Sequence, residues 1–128
     1  MAAKSSPLKL DRLRIRADFL RAARGIRQSR GALTLETCPT PEPVLKPDGL
    51  RVGFTASRKV GNAVARNRAK RRLRAAAAAL LPLFGLPGHD YVLVARTATL
   101  TRPFSALQED LKAALAAAHK RPEPRADA

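Results

Sequence analysis

Eight of the seventeen residues in 58-RKVGNAVARNRAKRRLR-74 are Lys or Arg, and none is Asp or Glu. A run of this kind repels itself unless something negative meets it. Read as a helix, the stretch divides into two faces. Ala69, Leu73, Ala76, Ala77 and Leu80 recur at helical spacing, while Asn67, Lys70, Arg71 and Arg74 fall opposite them, with Arg68 on the flank. Lys70 with Arg74, and Arg71 with Arg74, are like-charge neighbours one turn apart, each pair costing roughly 0.2–0.5 kcal/mol in an isolated helix. No acidic residue on this helix offsets them; a polyphosphate would. Guanidinium groups grip phosphate oxygens through two parallel hydrogen bonds, which accounts for the bias toward Arg. Asn67 adds an amide able to reach a sugar, a base or a backbone group. Asn62 suits an N-cap, and a capped helix N-terminus is itself a place where a phosphate can sit.

A solvated cationic face is the plain alternative. The charge distribution argues against it. The chain of 128 residues has a formal net charge of +15. Residues 1–30 hold nine basic side chains against Asp11 and Asp18, residues 49–89 hold nine and no acid at all, and the count from residue 90 onward is six against five. Charge confined in this way fits a nucleic-acid footprint. An anionic membrane surface would also attract it, but the aromatic-rich amphipathic anchor such binding needs is missing. No stretch of about eighteen apolar residues is present, so no transmembrane helix is expected. The N-terminal MAAKSSPLKLDRLRIR lacks the apolar segment of a secretory signal. Cys38 stands alone, which fits a reducing cytoplasm.

Catalytic constellations are not visible. His89 and His119 are far apart in sequence, one in an expected loop and one at an expected helix end, and both are read as solvated. Carboxylates near the basic run are too few for a two-metal nuclease site, and Cys38 has no evident His partner. The chain is not expected to hydrolyse RNA unaided.

The elements that must carry the basic face can be read in outline. Residues 1–12 form a basic, flexible arm, 13–120 a single RNA-binding domain and 121–128 a disordered tail. The segment 16-RADFLRAARG-25 reads as a short helix with Phe19, Ala22 and Ala23 on one face and Gly25 ending it. Strands are expected at 32-ALTLETC-38, half-buried by its alternation, at 50-LRVGFTAS-57, and at the apolar 90-DYVLVAR-96, which reads as interior. Gly53 suggests a bulge or a close backbone in the second of these. The basic helix spans 63–81 and stops at Pro82. A last helix over 105–120 buries Leu107, Leu111 and Leu115 with Ala114 and Ala118, and Ser105 with Gln108 offers a capping box. Hydrophobic residues make up 45% of the chain, but much of that is Ala and Trp is absent, so the core is expected to be thin. The order indicates an α+β sandwich of helices on a small sheet. A helix-turn-helix DNA reader is disfavoured, because the basic helix follows a strand. A ribosomal or other structural RNA-binding protein, and a protein-only nuclease, stay open on these grounds.

The stretch 52-VGFTASRKVGNAVARNRAKRRLR-74 resembles the signature of the bacterial ribonuclease P protein component. Arg66-Asn67-Arg68 matches that family's Arg-Asn-Arg element, and Lys70, Arg71 and Arg74 match the basic positions after it. The flanking RLRIRADFLRAARG and DYVLVAR are similar to the family pattern too, so the resemblance covers most of residues 11–118. It implies a two-layer αβββαβα sandwich with a small mixed sheet, similar to an RNA-binding domain of ribosomal proteins, with a left-handed β-α-β crossover. The three strands above leave a fourth to be found, expected within 39–50. The resemblance also implies that the catalyst is a large partner RNA, which cleaves precursor tRNA at the mature 5′ end with Mg2+ bound mainly by the RNA. Arg58, Lys59, Asn62, Arg66, Asn67, Arg68, Lys70, Arg71 and Arg74 would then face the catalytic RNA. A separate cleft between the first helix and the sheet would contact the 5′ leader of precursor tRNA through Phe19, Arg12 and Arg14. The family's second aromatic on that helix is Ala23 here. Phe54 reads as core. No membrane and no stable protein partner are implied.

Overall fold

Among the described residues five strands and three α-helices follow one another as β1 (Lys9–Arg12), α1 (Arg16–Ala23), β2 (Ile26–Arg30), β3 (Leu33–Pro39), β4 (Gly49–Thr55), α2 (Ala63–Phe84), β5 (His89–Ala95) and α3 (Phe104–Lys120). The structure is a computed structural model and describes residues 8–120. The first seven residues of the expected arm and the expected tail lie outside that range. The sheet order is β1-β4-β5-β3-β2. β1, β4 and β5 run parallel, and β3 is antiparallel to both β5 and β2. From α1 onward this is the expected αβββαβα order, with one strand ahead of it. β4, α2 and β5 form a crossover between neighbouring parallel strands.

Both additional strands fall where polar sequence hid them. Lys9–Arg12, assigned to the arm, adds to the sheet edge with Leu10 opposite Leu50 and Arg12 opposite Val52. Ile26–Arg30 turns back on β3 through Gly31 and Ala32, with Arg30 paired to Leu33. Gly31 takes the positive φ of 53° that this two-residue connection needs. The expected strand within 39–50 is replaced by a 3-10 turn at Glu42–Val44 and the start of β4. β3 is buried on both faces rather than half-buried, because its polar side chains are covered from β2. Arg27 donates to Glu36 at 2.6 Å and Ser29 pairs with Thr34 at 2.9 Å.

Helix ends also differ from expectation. α2 runs through Pro82 to Phe84. A proline deletes one donor, and in the last turn that loss is tolerable; the Pro82 carbonyl still accepts from the Leu8 N–H at 3.2 Å. α3 starts at Phe104, so Ser105 lies inside its first turn, which closes from the Leu107 N–H onto the Pro103 carbonyl at 2.9 Å.

The main core lies between the sheet and the helix pair α2 and α3. Leu33, Leu35, Leu50, Val52, Tyr91 and Leu93 meet Ala69, Leu73, Ala76, Ala77 and Leu81 of α2 and Leu107, Leu111 and Leu115 of α3. The alanines let α2 lie close to the strands. Among the described residues the opposite face carries α1, over a small cluster of Leu13, Ala22, Cys38 and Val92 flanked by Phe19 and Val94.

A buried ionic knot fixes α1 to that face. Arg51 of β4 donates from Nε and Nη2 to the two oxygens of Asp90 at 2.8 and 2.6 Å, and its Nη2 lies 3.3 Å from Asp18 of α1. Thr40 donates to Asp90 at 2.8 Å and Arg21 to Asp18 at 2.8 Å. Burial works against ionisation of Asp18, but its bonds to Arg21 and Arg51 prevail and hold its carboxyl below the ordinary range. The Asp90 bond raises the Arg51 guanidinium further.

Gly53 serves the same docking. A Cβ there would come within 2.5 Å of the Phe19 ring and 3.1 Å of Leu13 Cβ. The glycine therefore makes room for a side chain on a regular strand, and neither a bulge nor a close backbone is involved. Gly53→Ala is expected to lower stability by about 1–3 kcal/mol, read from the urea midpoint, and to displace Phe19. An unchanged midpoint would mean that α1 shifts freely.

Candidate nucleic-acid interface

The basic side chains stand along one edge of the molecule, and three pieces of local structure hold them there. Residues 57–61 form two tight turns, with the Val60 N–H on the Ser57 carbonyl at 3.0 Å and the Gly61 N–H on the Arg58 carbonyl at 3.1 Å. Val60 is buried and anchors the turn, while Arg58 and Lys59 just before it are exposed. Asn62 caps α2: its Oδ1 accepts from the Ala65 N–H at 2.9 Å. The helix then turns its alanine and leucine face into the core, and geometry obliges Asn67, Arg68, Arg71 and Arg74 to project outward, with Arg66 and Lys70 half-covered.

Among the described residues no carboxylate consumes these cations. The carboxylates that form ion pairs there do so with other bases: Asp18 and Asp90 with Arg51, Glu36 with Arg27, Asp110 with Arg102, Asp11 with Lys46, Asp48 with Lys9 and Glu109 with Lys112. None of Arg58, Lys59, Arg66, Arg68, Lys70, Arg71 and Arg74 is paired with a carboxylate among the described residues. Arg66 Nε is enclosed and meets no acceptor there. Arg74 stacks over the Phe54 ring, its guanidinium carbon 5.4 Å from the centroid. Phe54 packs at the margin of the main core, as expected of it.

Arg72, the remaining base of the run, faces another way. Its two terminal nitrogens donate to the carbonyls of Thr99 and Arg102, tying α2 to the 3-10 turn Thr97–Leu100 and to the start of α3. Arg102 in turn forks onto Asp110 through two bonds of 2.9 Å, and Asp110 accepts from the Ala32 N–H at 3.0 Å. Sequence reasoning missed both Asp110 and Arg51 as structural charges. Their signal is faint: one polar residue in an apolar helical stripe, and one Arg on a strand.

The residues expected to form the leader cleft are not all brought together. Phe19 lies on the α1 face, over Gly53, and Arg14 is exposed beside it in sequence. Arg12 pairs with Val52, whose side chain enters the main core, so it shares that face of the sheet; it lines a small depression with Phe54, Arg74 and Ala77. The chain crosses the sheet edge one residue later, where the Leu13 N–H bonds the Val52 carbonyl at 3.0 Å. Arg12 thus joins the basic edge, and Phe19 stands across the sheet from it. A larger groove of about 670 Å³ opens between α1 and the end of β3, lined by Leu20, Arg21, Arg24, Cys38 and Pro39 and not by Phe19.

The histidines are less solvated than expected. His119 Nε2 lies 2.9 Å from the Tyr91 hydroxyl, and that hydroxyl accepts from the Leu86 N–H at 2.8 Å. His89 Nδ1 is 3.0 Å from the Pro87 carbonyl. Among the described residues there is no group of three or more His, Cys, Asp or Glu able to hold a metal, and no helix long and apolar enough to cross a membrane.

A family model described as ribonuclease P matches residues 8–119. The chain is 52% identical over 113 residues to the ribonuclease P protein component of Ruegeria pomeroyi, covering 88% of each chain. It is 52% identical over 109 residues to that of Paramagnetospirillum magneticum, covering 84% of this chain and 81% of the relative. The fold is similar to that of the Staphylococcus aureus RNase P protein, with a TM-score of 0.68 at 26% identity over 86% of this chain and 96% of that one. The RNase P protein of Thermotoga maritima shares the fold, with a TM-score of 0.66 at 23% identity over 88% of this chain and 98% of that one.

Proposed function

Because the chain belongs to the bacterial ribonuclease P protein family, we propose that its basic edge, which meets no carboxylate among the described residues, docks on the catalytic RNA of that enzyme. The observation that carries this reading is the division of labour among the bases. Arg27, Arg51 and Arg102 are spent on internal carboxylates, while the Arg66-Asn67-Arg68 run, Lys70, Arg71 and Arg74 are left for an outside anion. A row of guanidiniums one helical turn apart matches phosphates along a backbone and releases their counterions on contact. The enclosed Arg66 Nε fits a residue whose acceptor arrives with the partner.

Phe19 and Arg14, across the sheet, meet the single-stranded 5′ leader of precursor tRNA, the ring stacking on a base and Arg14 on a phosphate. Arg12 belongs with the catalytic RNA rather than with the leader. The magnesium ions of the reaction sit mainly on the RNA. The chain contributes charge neutralisation and substrate positioning in the cytoplasm; removal of the leader itself belongs to the RNA.

Reconstitution with the cognate ribonuclease P RNA at near-physiological magnesium tests the reading, scored by release of the 5′ leader from precursor tRNA. Cleavage by the purified protein without RNA would overturn it, as would recovery from cells of ribosomal RNA without the ribonuclease P RNA. In the reconstituted enzyme, Phe19→Ala is expected to weaken binding of leader-bearing precursor tRNA by roughly 5- to 100-fold. Equal losses for tRNA lacking a leader would contradict the assignment of Phe19.

A further inference from the structure

Phe104 is the first residue of α3, and 40% of it is exposed. It does not face open solvent alone. Together with Arg68, Arg71, Arg72 and Ala75 it lines an open depression of about 350 Å³ on the basic edge. Each wall has a distinct physical character. Arg72 is immobilised by the Thr99 and Arg102 carbonyls, so its guanidinium plane forms a fixed wall. Ala75 is short, which keeps the helix side of the depression clear. Arg68 and Arg71 are exposed and without a carboxylate among the described residues, leaving two guanidinium forks at the rim. The Phe104 side chain completes the set.

A phosphate backbone needs only the two forks; it has no use for a half-exposed ring. A flat, polarisable and edge-polar group uses all of them. We infer that the notch formed by Phe104, Arg68, Arg71 and Arg72 takes one unpaired nucleobase of the partner RNA, stacked on the Phe104 ring with the rim arginines on its edge or its flanking phosphates. The base must be unpaired, because bases within an A-form duplex keep their faces stacked and out of reach of side chains. Arg74 over Phe54 shows the same pairing of ring and guanidinium one turn further along the helix, but there the protein's own arginine covers the ring. At Phe104 the ring is left for a visitor. This inference rests on the docking of the basic edge to the catalytic RNA and adds to it a specific contact that charge alone does not supply.

Stacking and charge separate in a salt titration. The affinity of the full chain for the ribonuclease P RNA is measured against salt for wild type, Phe104→Ala, Phe104→Tyr and Arg71→Ala, with thermal melting of each variant. Phe104→Ala is expected to weaken binding by roughly 5- to 100-fold with the slope of log affinity against log salt unchanged, while Phe104→Tyr keeps most of the affinity because its ring still stacks. Chemical probing of the bound RNA then finds one unpaired base protected by wild type and by Phe104→Tyr but exposed with Phe104→Ala. Affinity unchanged in Phe104→Ala, or a slope that falls as it does in Arg71→Ala, would overturn the notch while leaving the docking of the edge intact. A loss shared equally by Phe104→Ala and Phe104→Tyr would also overturn it. Wild-type protein that fails to bind this RNA with a salt-dependent affinity would remove both readings together.

Discussion

Arg51→Met is expected to cost the domain about 3–5 kcal/mol, a large share of the stability of a chain this size. The substitution keeps an unbranched apolar stem but removes both bonds to Asp90, whose side chain is fully buried, and the contact with Asp18. Asp90 keeps the Thr40 hydroxyl. A buried carboxylate left so poorly matched is the expensive outcome; the ion pair itself is close to neutral against apolar packing. The double substitution Arg51→Met with Asp90→Leu is therefore expected to recover much of the loss. The test is urea unfolding of all three proteins, and a single substitution that costs less than the double would refute the argument.

The same knot has a pH signature with a definite sign. Asp18 titrates lower in the folded chain than in the unfolded one. Its contribution is present in full above the unfolded carboxylate value and is lost as pH falls through the lowered folded value. Arg51→Met weakens that hold on Asp18, leaving Arg21. The stability gap between wild type and variant should narrow on acidification through this range, because protonation takes from the wild type the attraction that the variant already lacks. A gap that widens on acidification would show that Asp18 is not held by Arg51.

Removing Arg68, Arg71 and Arg74 together by alanine has the largest expected effect on function. Each phosphate contact contributes roughly 0.9 to the slope of log affinity against log salt for a duplex and somewhat less for a single strand, so the slope for ribonuclease P RNA should fall by about 2 to 3. Affinity at moderate salt should fall on the order of 100-fold or more. Stability should hold, since like-charge crowding on α2 is relieved while the Arg74 contact with Phe54, worth about 0.5–1 kcal/mol at an exposed site, is lost. Arg72→Ala provides the contrast. It removes the donors that satisfy the Thr99 and Arg102 carbonyls, so it should lower the melting temperature without the same fall in slope. If the triple variant keeps its slope, these side chains do not touch phosphate.

The two faces of α2 were written in the residue order, because a helix maps a spacing of three and four onto one side and the alanine and leucine stripe admits a single inward orientation. Ala69, Leu73, Ala76 and Ala77 are buried as that stripe requires. The same reasoning located the stripe of α3, and the apolar run that became β5 at the centre of the sheet. The family was legible too, since the central motif is long. β1 and β2 were not, because edge strands carry alternating polar residues that solvent tolerates, and nothing local distinguishes KLDR or IRQSR from a loop until a partner strand is present.

What the fold alone decided is which charge does which job. Arg51, Arg72 and Arg102 are the same residue type as Arg68 and Arg71, and composition treats them alike. Their fates diverge only through contacts between positions far apart in the chain, such as Arg51 with Asp90 and Arg72 with Thr99. Arg12 and Phe19 were separated in the same way, by a chain crossing at the sheet edge that no spacing records. Helical periodicity is a local property and can be read from one segment. Partnering of charges is a property of distances that exist only after the sheet has closed.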